Sequence, residues 1–74
     1  MQRRAVTLDL ATARDLLMAG QTPDARHVLD NAQTHSRWLP SARAAEQLAV
    51  AIRALDGGDR VQALQAIDRA LSAS

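Results

Sequence analysis

The side chains that could carry out chemistry are few and widely spaced. The two histidines, His27 and His35, stand eight residues apart, the chain has no cysteine, and no carboxylate cluster accompanies either histidine. A zinc site needs three or four such ligands that converge on one point. We therefore expect no metal site, with both histidines on a helix surface and His35 close to the negatively polarised C-terminal end of its helix.

The carboxylates and hydroxyls show no catalytic arrangement either. The eight acidic residues are spread along the chain, and two of them, Asp24 and Asp59, stand where helices are expected to begin. Gly57-Gly58 lacks the lysine and the strand of a phosphate loop, and its flanking aspartates lack the ligand pattern of an EF-hand. The serines have no base at a defined spacing. The sequence therefore predicts no catalytic residue, no cofactor and no enzymatic activity.

Charge and hydropathy limit the classes of partner. All nine basic residues are arginine, the net charge is +1, and acids are interspersed among the arginines, so no basic stripe for nucleic acid is expected. The local basic cluster Gln2-Arg3-Arg4 leaves open an alternative, a DNA-associated regulator that uses a helical hairpin and an Arg3-Arg4 arm. No apolar run reaches the roughly 18 residues of a membrane span, and charged residues at positions 9, 14 and 15 argue against a secretory signal. We expect a cytoplasmic protein with no membrane partner.

The elements that must position these residues are helices. Alanine and leucine supply 26 of the 74 residues, and apolar residues recur at helical spacing, whereas no strand-like run of β-branched residues occurs. The pattern predicts an all-α protein with four helices near residues 8–19, 23–35, 41–56 and 60–72, after a loose N-terminal arm at residues 1–6. The chain, 1–74, then forms a single helical domain of two antiparallel hairpins, 8–35 and 41–72.

Glycine, proline and capping residues set the predicted ends of the helices. Gly20 and Gly58 should end the first helix of each hairpin, because glycine adopts the left-handed conformation without a steric penalty. Thr22 is the expected N-cap of the second helix, followed by a proline at the first helical position. Asp59 is the expected N-cap of the fourth helix, with Gln62 three residues later as in a capping box.

The two predicted hairpins repeat one pattern of small and large residues. A glycine is followed at +5, +9 and +12 by a small, a large and a small apolar residue, and the same offsets occur in both halves of the chain. The glycine allows a tight turn, the alanines let the two helices approach closely, and the large residue fills the space between them. A repeat of this kind indicates stacked helical hairpins. The residues are Gly20, Ala25, Leu29 and Ala32 in the first copy, and Gly58, Ala63, Ile67 and Ala70 in the second.

This pattern resembles the tetratricopeptide repeat (TPR) family, whose repeats carry a turn glycine followed by small, large and small residues at the same offsets. The resemblance covers about residues 8–34 and 46–72. The period from Gly20 to Gly58 is longer than that of the family, and Asp9 and Gln47 stand where the family has large aromatic residues. The resemblance implies two divergent copies in a TPR-like pair of hairpins or a small helical bundle. By analogy with the family, it also implies protein–protein scaffolding or peptide binding.

One face of the first and third helices is the predicted partner surface. Positions at i, i+4 and i+7 of each helix share a face, and in a TPR-like stack that face lines a concave groove. A contiguous exposed apolar patch of this kind marks an interaction site. The alternative, which the sequence leaves open, is that the hairpins pack differently and these residues form the core. The residues are Leu10, Arg14 and Leu17 in the first helix, and Leu48, Ile52 and Leu55 in the third, with Met18 at the rim.

The connection between the hairpins adds two large apolar residues, Trp38 and Leu39, next to Pro40, which stops the second helix. They either plug the junction between the hairpins or provide an exposed aromatic anchor, Trp38, for a partner. Together these features predict a protein–protein interaction module, such as an adaptor, a chaperone-like subunit or an inhibitory subunit of the kind found among short bacterial or phage regulators. Its partner would be another protein or a second copy of the chain, in a hetero-complex or a homodimer.

Overall fold

Four α-helices account for most of the chain. A computed structural model describes residues 2–35, 37, 39 and 41–73, with side chains from Val6 onward. The helices are α1 (Gln2–Met18), α2 (Thr22–Thr34), α3 (Ala42–Asp56) and α4 (Arg60–Ser72), and the described residues include no strand. The predicted all-α class is confirmed, and the predicted bounds of α2, α3 and α4 hold to within one residue.

The N-terminal arm is the exception, because the prediction of a loose segment at residues 1–6 is wrong. Helix α1 begins at Gln2, six residues before the predicted start. Val6 is 2% exposed and lies one turn before the buried Leu10, so it continues the apolar stripe of α1 towards the N-terminus. Glutamine, arginine and alanine at positions 2–5 are good helix formers, and no residue there breaks the helix.

The two hairpin turns have the same hydrogen-bonding pattern. Gly20 has a φ of +81°, its N–H donates to Leu17 O over 3.1 Å, and the N–H of Gln21 donates to Leu16 O over 2.8 Å. This pair of bonds is a Schellman motif, which requires a left-handed residue at the glycine position. Gly58, with a φ of +80°, repeats the motif in the second hairpin over 3.0 and 2.8 Å. The predicted roles of both glycines as turn residues are confirmed.

The N-caps of α2 and α4 are equivalent in the repeat but differ in chemistry. Thr22 was predicted as a cap and this is wrong: the Schellman turn leaves Gln21 as the N-cap, and Gln21 makes no side-chain cap bond. Thr22 is the first helical residue, and Pro23 follows it in the first turn, where a missing N–H costs nothing. Asp59 caps α4 as predicted, accepting the N–H of Gln62 over 3.0 Å.

The connection between the hairpins ends in a further capping residue. The Ser41 hydroxyl oxygen accepts the N–H of Ala44 over 3.1 Å, and the hydroxyl donates to Ala73 O over 3.3 Å. It thereby caps α3 and ties the start of α3 to the end of α4. Leu39 is 8% exposed and belongs to the core. Trp38, and with it the choice between plug and anchor, lies outside the described residues.

The hairpins pack side by side into a small bundle. Within each hairpin the two helices pack most closely, and the hairpins meet where α1 packs on α4 and α2 packs on α3. Both glycine turns lie at one end, the turn end. The start of α1, the end of α4 and the described residues between α2 and α3 (35, 37, 39 and 41) lie at the other, the connection end. The repeat that aligns Gly20 with Gly58 also aligns α1 with α3 and α2 with α4. Under this alignment the contact of α1 with α4 corresponds to the contact of α3 with α2, so the bundle has approximate two-fold symmetry.

The core between the helices is entirely apolar in the described part of the chain. It contains eighteen buried apolar residues and no buried polar residue, and nine of the eighteen are alanines. Alanine allows close helix packing but removes little area from water, so the larger side chains supply most of the hydrophobic free energy. The largest fully buried side chains are those of Leu10, Leu17, Leu29, Leu48 and Ile67.

Candidate interaction surfaces

The apolar residues predicted to line a groove lie in the core instead. Their exposed fractions are 1% for Leu10, 0% for Leu17, 1% for Leu48, 7% for Ile52 and 9% for Leu55. The physical reason is the packing of α1 on α4 and of α3 on α2, which turns this face of α1 and α3 towards the shared interior. The expectation of an exposed groove is therefore wrong, and the alternative that the sequence left open, a core role, is correct.

The other predicted partner residues on α1 remain accessible. Arg14 is partly exposed and pairs with Asp68 of α4, with 3.5 Å between Nη1 and the carboxylate, and its Nε lies 3.9 Å from Asp15. Met18 is 71% exposed. Arg14 thus links α1 to α4 across the surface, and Met18 lies one turn further towards the turn end.

Three exposed or half-buried apolar residues lie on α1 and α4 towards the turn end. Because α1 and α4 run antiparallel, moving one turn past Arg14 on α1 corresponds to moving one turn back from Asp68 on α4. That step leads to Met18 on α1 and to the partly buried Leu64 on α4, with Val61, 64% exposed, one turn before Leu64. We call Met18, Val61 and Leu64 the apolar edge.

One further large apolar residue of the described chain is exposed but lies away from the apolar edge. Leu8 is 62% exposed, but it lies six residues before Arg14 and therefore on a different face of α1. The sequence pattern predicted Met18 as a partner residue but not Val61. The signal for Val61 was available, since it is a β-branched apolar residue outside the core stripe of α4.

The symmetry-related edge, between α2 and α3, is polar. Arg26 donates from Nε to Asp56 over 2.9 Å and also hydrogen-bonds to Asp30, so one guanidinium joins α2 to α3. The hydrogen bond from Arg26 holds the pKa of the Asp56 carboxyl below its usual value. In the repeat, Arg26 corresponds to Leu64 and Asp56 to Met18. An ion pair therefore occupies one edge, and apolar side chains occupy the equivalent place on the other.

A second surface feature is a depression of about 380 Å³ at the connection end, between the start of α3 and the end of α4. We call it the arginine cleft; Arg43, Asp68, Arg69, Ser72 and Ala73 line it. Both of its arginines are exposed and take part in none of the ion pairs of the described residues, whereas its one acid already pairs with α1.

Two polar residues lie beside the apolar stripe of α1 and α3, where the TPR family has large aromatic residues. Asp9 accepts a hydrogen bond from Asn31 Nδ2 over 2.9 Å, which links α1 to α2. Gln47 is its equivalent on α3, and its Oε1 atom is buried with no hydrogen-bond partner in the described part of the chain. An unsatisfied buried acceptor of this kind costs about 1–3 kcal/mol.

The residues considered for metal binding or catalysis do not converge. His27 is exposed, and the His35 ring nitrogen Nδ1 lies 2.9 Å from Asn31 O at the end of α2. Among the described residues, no group of three or more histidine, cysteine, aspartate or glutamate side chains could hold a metal ion. None of the helices in this part of the chain is both long and apolar enough to cross a membrane.

Comparisons with models of protein families, with curated proteins and with solved structures found no match to this chain. Function must therefore be inferred from the chain's own surfaces.

Proposed function

We propose that this chain is a small protein–protein interaction module of the cytoplasm, which docks on a partner protein through the apolar edge formed by Met18, Val61 and Leu64. The observation that carries the proposal is the contrast between the two related edges of the bundle. Where the α2/α3 edge has the Arg26–Asp56 pair, the α1/α4 edge has Leu64 and Met18 at the equivalent positions. Beyond the Arg14–Asp68 pair, the α1/α4 edge exposes 71% of Met18 and 64% of Val61. No catalytic step is assigned to the chain.

The rest of the molecule supports a binding role because the bundle is complete without a partner. The chain exposes 4503 Å², and a compact folded monomer of 8.0 kDa is expected to expose about 4,450 Å². The apolar residues on α1 and α3 already serve as core. The exposed apolar edge is therefore surface that folding does not require, and methionine is well suited to adaptable contacts.

The partner we propose is a different protein rather than a second copy. A stable interface of standard size buries about 800 Å² on each partner. Three side chains at one edge supply only a small part of that area, and a symmetric dimer would bring only the same three side chains from the second copy. A different protein can cover the surface around the edge as well. The proposed chain resembles TPR proteins in one respect, because two related hairpins serve as a scaffold for binding. It differs from them because the partner binds at an outer edge of the bundle and not in a concave groove.

Capture of a partner with matched variants tests the proposal. The wild-type chain, the double variant Met18→Ser with Val61→Ser, and the control Leu8→Ser would be immobilised and exposed to an extract of the source organism. The partner identified by mass spectrometry would then be purified and its Kd measured. Losing two apolar anchors should weaken binding by about tenfold or more, because central apolar contacts are worth about 1–2 kcal/mol each.

The control variant distinguishes specific binding through the apolar edge from non-specific hydrophobic binding. Leu8→Ser removes an equally exposed large apolar residue from a different face and should bind the partner as the wild type does. Equal affinities for the edge variant and the control would contradict the proposal. Sedimentation of the wild-type chain at several concentrations identifies a homodimer, and a dimer that is lost in the edge variant would replace the partner protein by a second copy.

A DNA-associated regulator is the second candidate, and the distribution of arginines is the observation that favours it. Five of the nine arginines belong to segments at the connection end: Arg3, Arg4, Arg37, Arg43 and Arg69. Arg3 and Arg4, which the sequence pattern predicted in a loose arm, belong to the first turn of α1. Duplex DNA binding that weakens steeply with salt would support this function, because each phosphate contact releases counterions.

A further inference from the structure

The arginine cleft contains cationic groups that the bundle itself does not use. Arg43 lies in the first turn of α3 and Arg69 in the last turn of α4, and both side chains are exposed and line one depression. Neither takes part in the ion pairs of the described residues. The acid in the lining, Asp68, is 3.5 Å from Arg14 and is therefore partly neutralised.

Comparison of the two halves shows that this availability is specific to one copy. The residues equivalent to Arg43, Arg69 and Ser72 are Ala5, Asn31 and Thr34. Asn31 donates to Asp9 over 2.9 Å, and the Thr34 hydroxyl donates to a backbone carbonyl one turn earlier over 3.0 Å. The first hairpin thus has no arginine at these positions and uses its polar groups internally, whereas the second hairpin presents two guanidinium groups and a hydroxyl to solvent.

We propose that the arginine cleft binds a carboxylate side chain from an acidic segment of the partner protein, with Arg43 and Arg69 as donors and Ser72 as an additional donor. The guanidinium group donates two parallel N–H bonds in a geometry that matches a carboxylate. The inference deepens the proposed function and rests on it, since it supplies the chemistry of a second contact on the same partner.

The acids around the cleft favour a discrete carboxylate over a polyanion. Glu46 is exposed three residues after Arg43, and Asp68 lines the cleft itself. Duplex DNA spreads its charge along a continuous backbone, so its neighbouring phosphates would meet these acids. A single carboxylate on a peptide brings no neighbouring negative charge towards these acids.

The experiment uses the full, uniformly ¹⁵N-labelled chain and a short probe with one carboxylate, a blocked hexapeptide of glutamine with a single central glutamate. The blocked hexapeptide of glutamine is its neutral counterpart, and ionic strength is held constant. We expect the largest chemical-shift changes at the amides of residues 42–44 and 68–73 and at the Nε groups of Arg43 and Arg69. Arg43→Gln or Arg69→Gln should each weaken peptide binding by about two- to fivefold, as exposed ion pairs do, and the double variant by about tenfold.

A matched control holds the charge change constant. The double variant Arg53→Gln with Arg60→Gln also removes two exposed arginines, but from the turn end, and should bind the peptide as the wild type does. Circular dichroism melts confirm that both double variants are folded. Equal loss of binding in the two double variants, or equal binding of the glutamine peptide, would overturn the proposal.

The test also separates this inference from the proposed function. The glutamate peptide has no apolar side chain, so Met18→Ser with Val61→Ser should leave peptide binding unchanged even if it abolishes capture of the partner. A short DNA duplex in a parallel titration addresses the rival ligand. Tighter binding of the duplex than of the peptide, lost on substitution of Arg43 and Arg69, would assign the cleft to nucleic acid and overturn an acidic protein segment as its ligand.

Discussion

Replacing Leu48 by alanine should remove a large part of the stability of this bundle. Leu48 is 1% exposed near the middle of α3, so the substitution deletes buried carbon atoms and leaves a cavity. Leucine-to-alanine changes at such sites cost about 3–5 kcal/mol, and the upper part of that range applies where neighbours cannot relax into the space. Half of the buried apolar residues are alanines, whose short side chains cannot fill it. A chain of this length has a total stability of about 4–11 kcal/mol.

Urea denaturation followed by circular dichroism in the far ultraviolet measures the effect. With a slope of about 1 kcal/mol per molar urea for a small domain, the unfolding midpoint should fall by about 3 M or more. The matched control is Leu8→Ala, which removes the same atoms from a helical position that is 62% exposed. Its free energy of unfolding should stay within about 0.5 kcal/mol of the wild type.

The comparison also tests the choice between core and groove. If Leu48→Ala and Leu8→Ala unfold at the same midpoint, Leu48 does not contribute to the core and the packing of the hairpins described above is refuted. Each melt is repeated at tenfold higher protein concentration, because an obligate dimer would show a concentration-dependent midpoint. A monomer with a large effect only at Leu48 supports the core role.

Three further predictions concern turns, ionisation and caps. Gly58→Ala should destabilise the protein by about 1–2 kcal/mol because of its φ of +80°, whereas Gly57→Ala at a φ of −86° should be neutral or slightly stabilising; thermal melts decide. The pKa of Asp56 is lowered in the folded protein, so its ion pair stabilises the fold fully at pH values above the ordinary carboxyl pKa of 3.8. This stabilisation is lost as the pH falls through the pKa that Asp56 has in the folded protein. Substituting its arginine partner by glutamine should return that pKa towards 3.8 in a carbon-detected NMR titration. Asp59→Gln should lower the free energy of unfolding by about 1 kcal/mol, because it removes the N-cap of α4. Gln21→Asp should raise the free energy of unfolding by a similar amount, since the two N-caps have nearly the same backbone angles. A stabilised Asp59→Gln would contradict the assigned cap.

Local features of the fold could be predicted from the sequence because they depend on neighbouring residues. Gly20 and Gly58 follow apolar helical stripes, and a left-handed glycine is the common way to end such helices. Asp59 precedes an apolar stripe and caps it. The start of α1 was missed because Arg3 and Arg4 look like a charged arm, although Val6 continues the buried stripe from that side.

The relative placement of the hairpins could not be predicted from the same patterns. Helical periodicity tells which face of α1 is buried, but not whether α3 or α4 covers that face. Alanines are distributed along all four helices and allow close packing with any neighbour. In consequence Leu48 and Ile52 fitted a groove and a core equally well until the packing of α3 on α2 was known.

The apolar edge depends on the same long-range packing, which explains why sequence analysis found only part of it. Met18 and Val61 lie in different hairpins, and the contact between α1 and α4, marked by the Arg14–Asp68 pair, places them on one edge. The symmetry of the bundle then supplies a comparison that neither helix gives alone. The α2/α3 edge has an ion pair at the positions where the α1/α4 edge has Met18 and Leu64. At the connection end, the second hairpin has the arginine cleft and the first hairpin has no arginines at the equivalent positions. Because the bundle needs neither difference for its core, these two surfaces are where binding should be sought first.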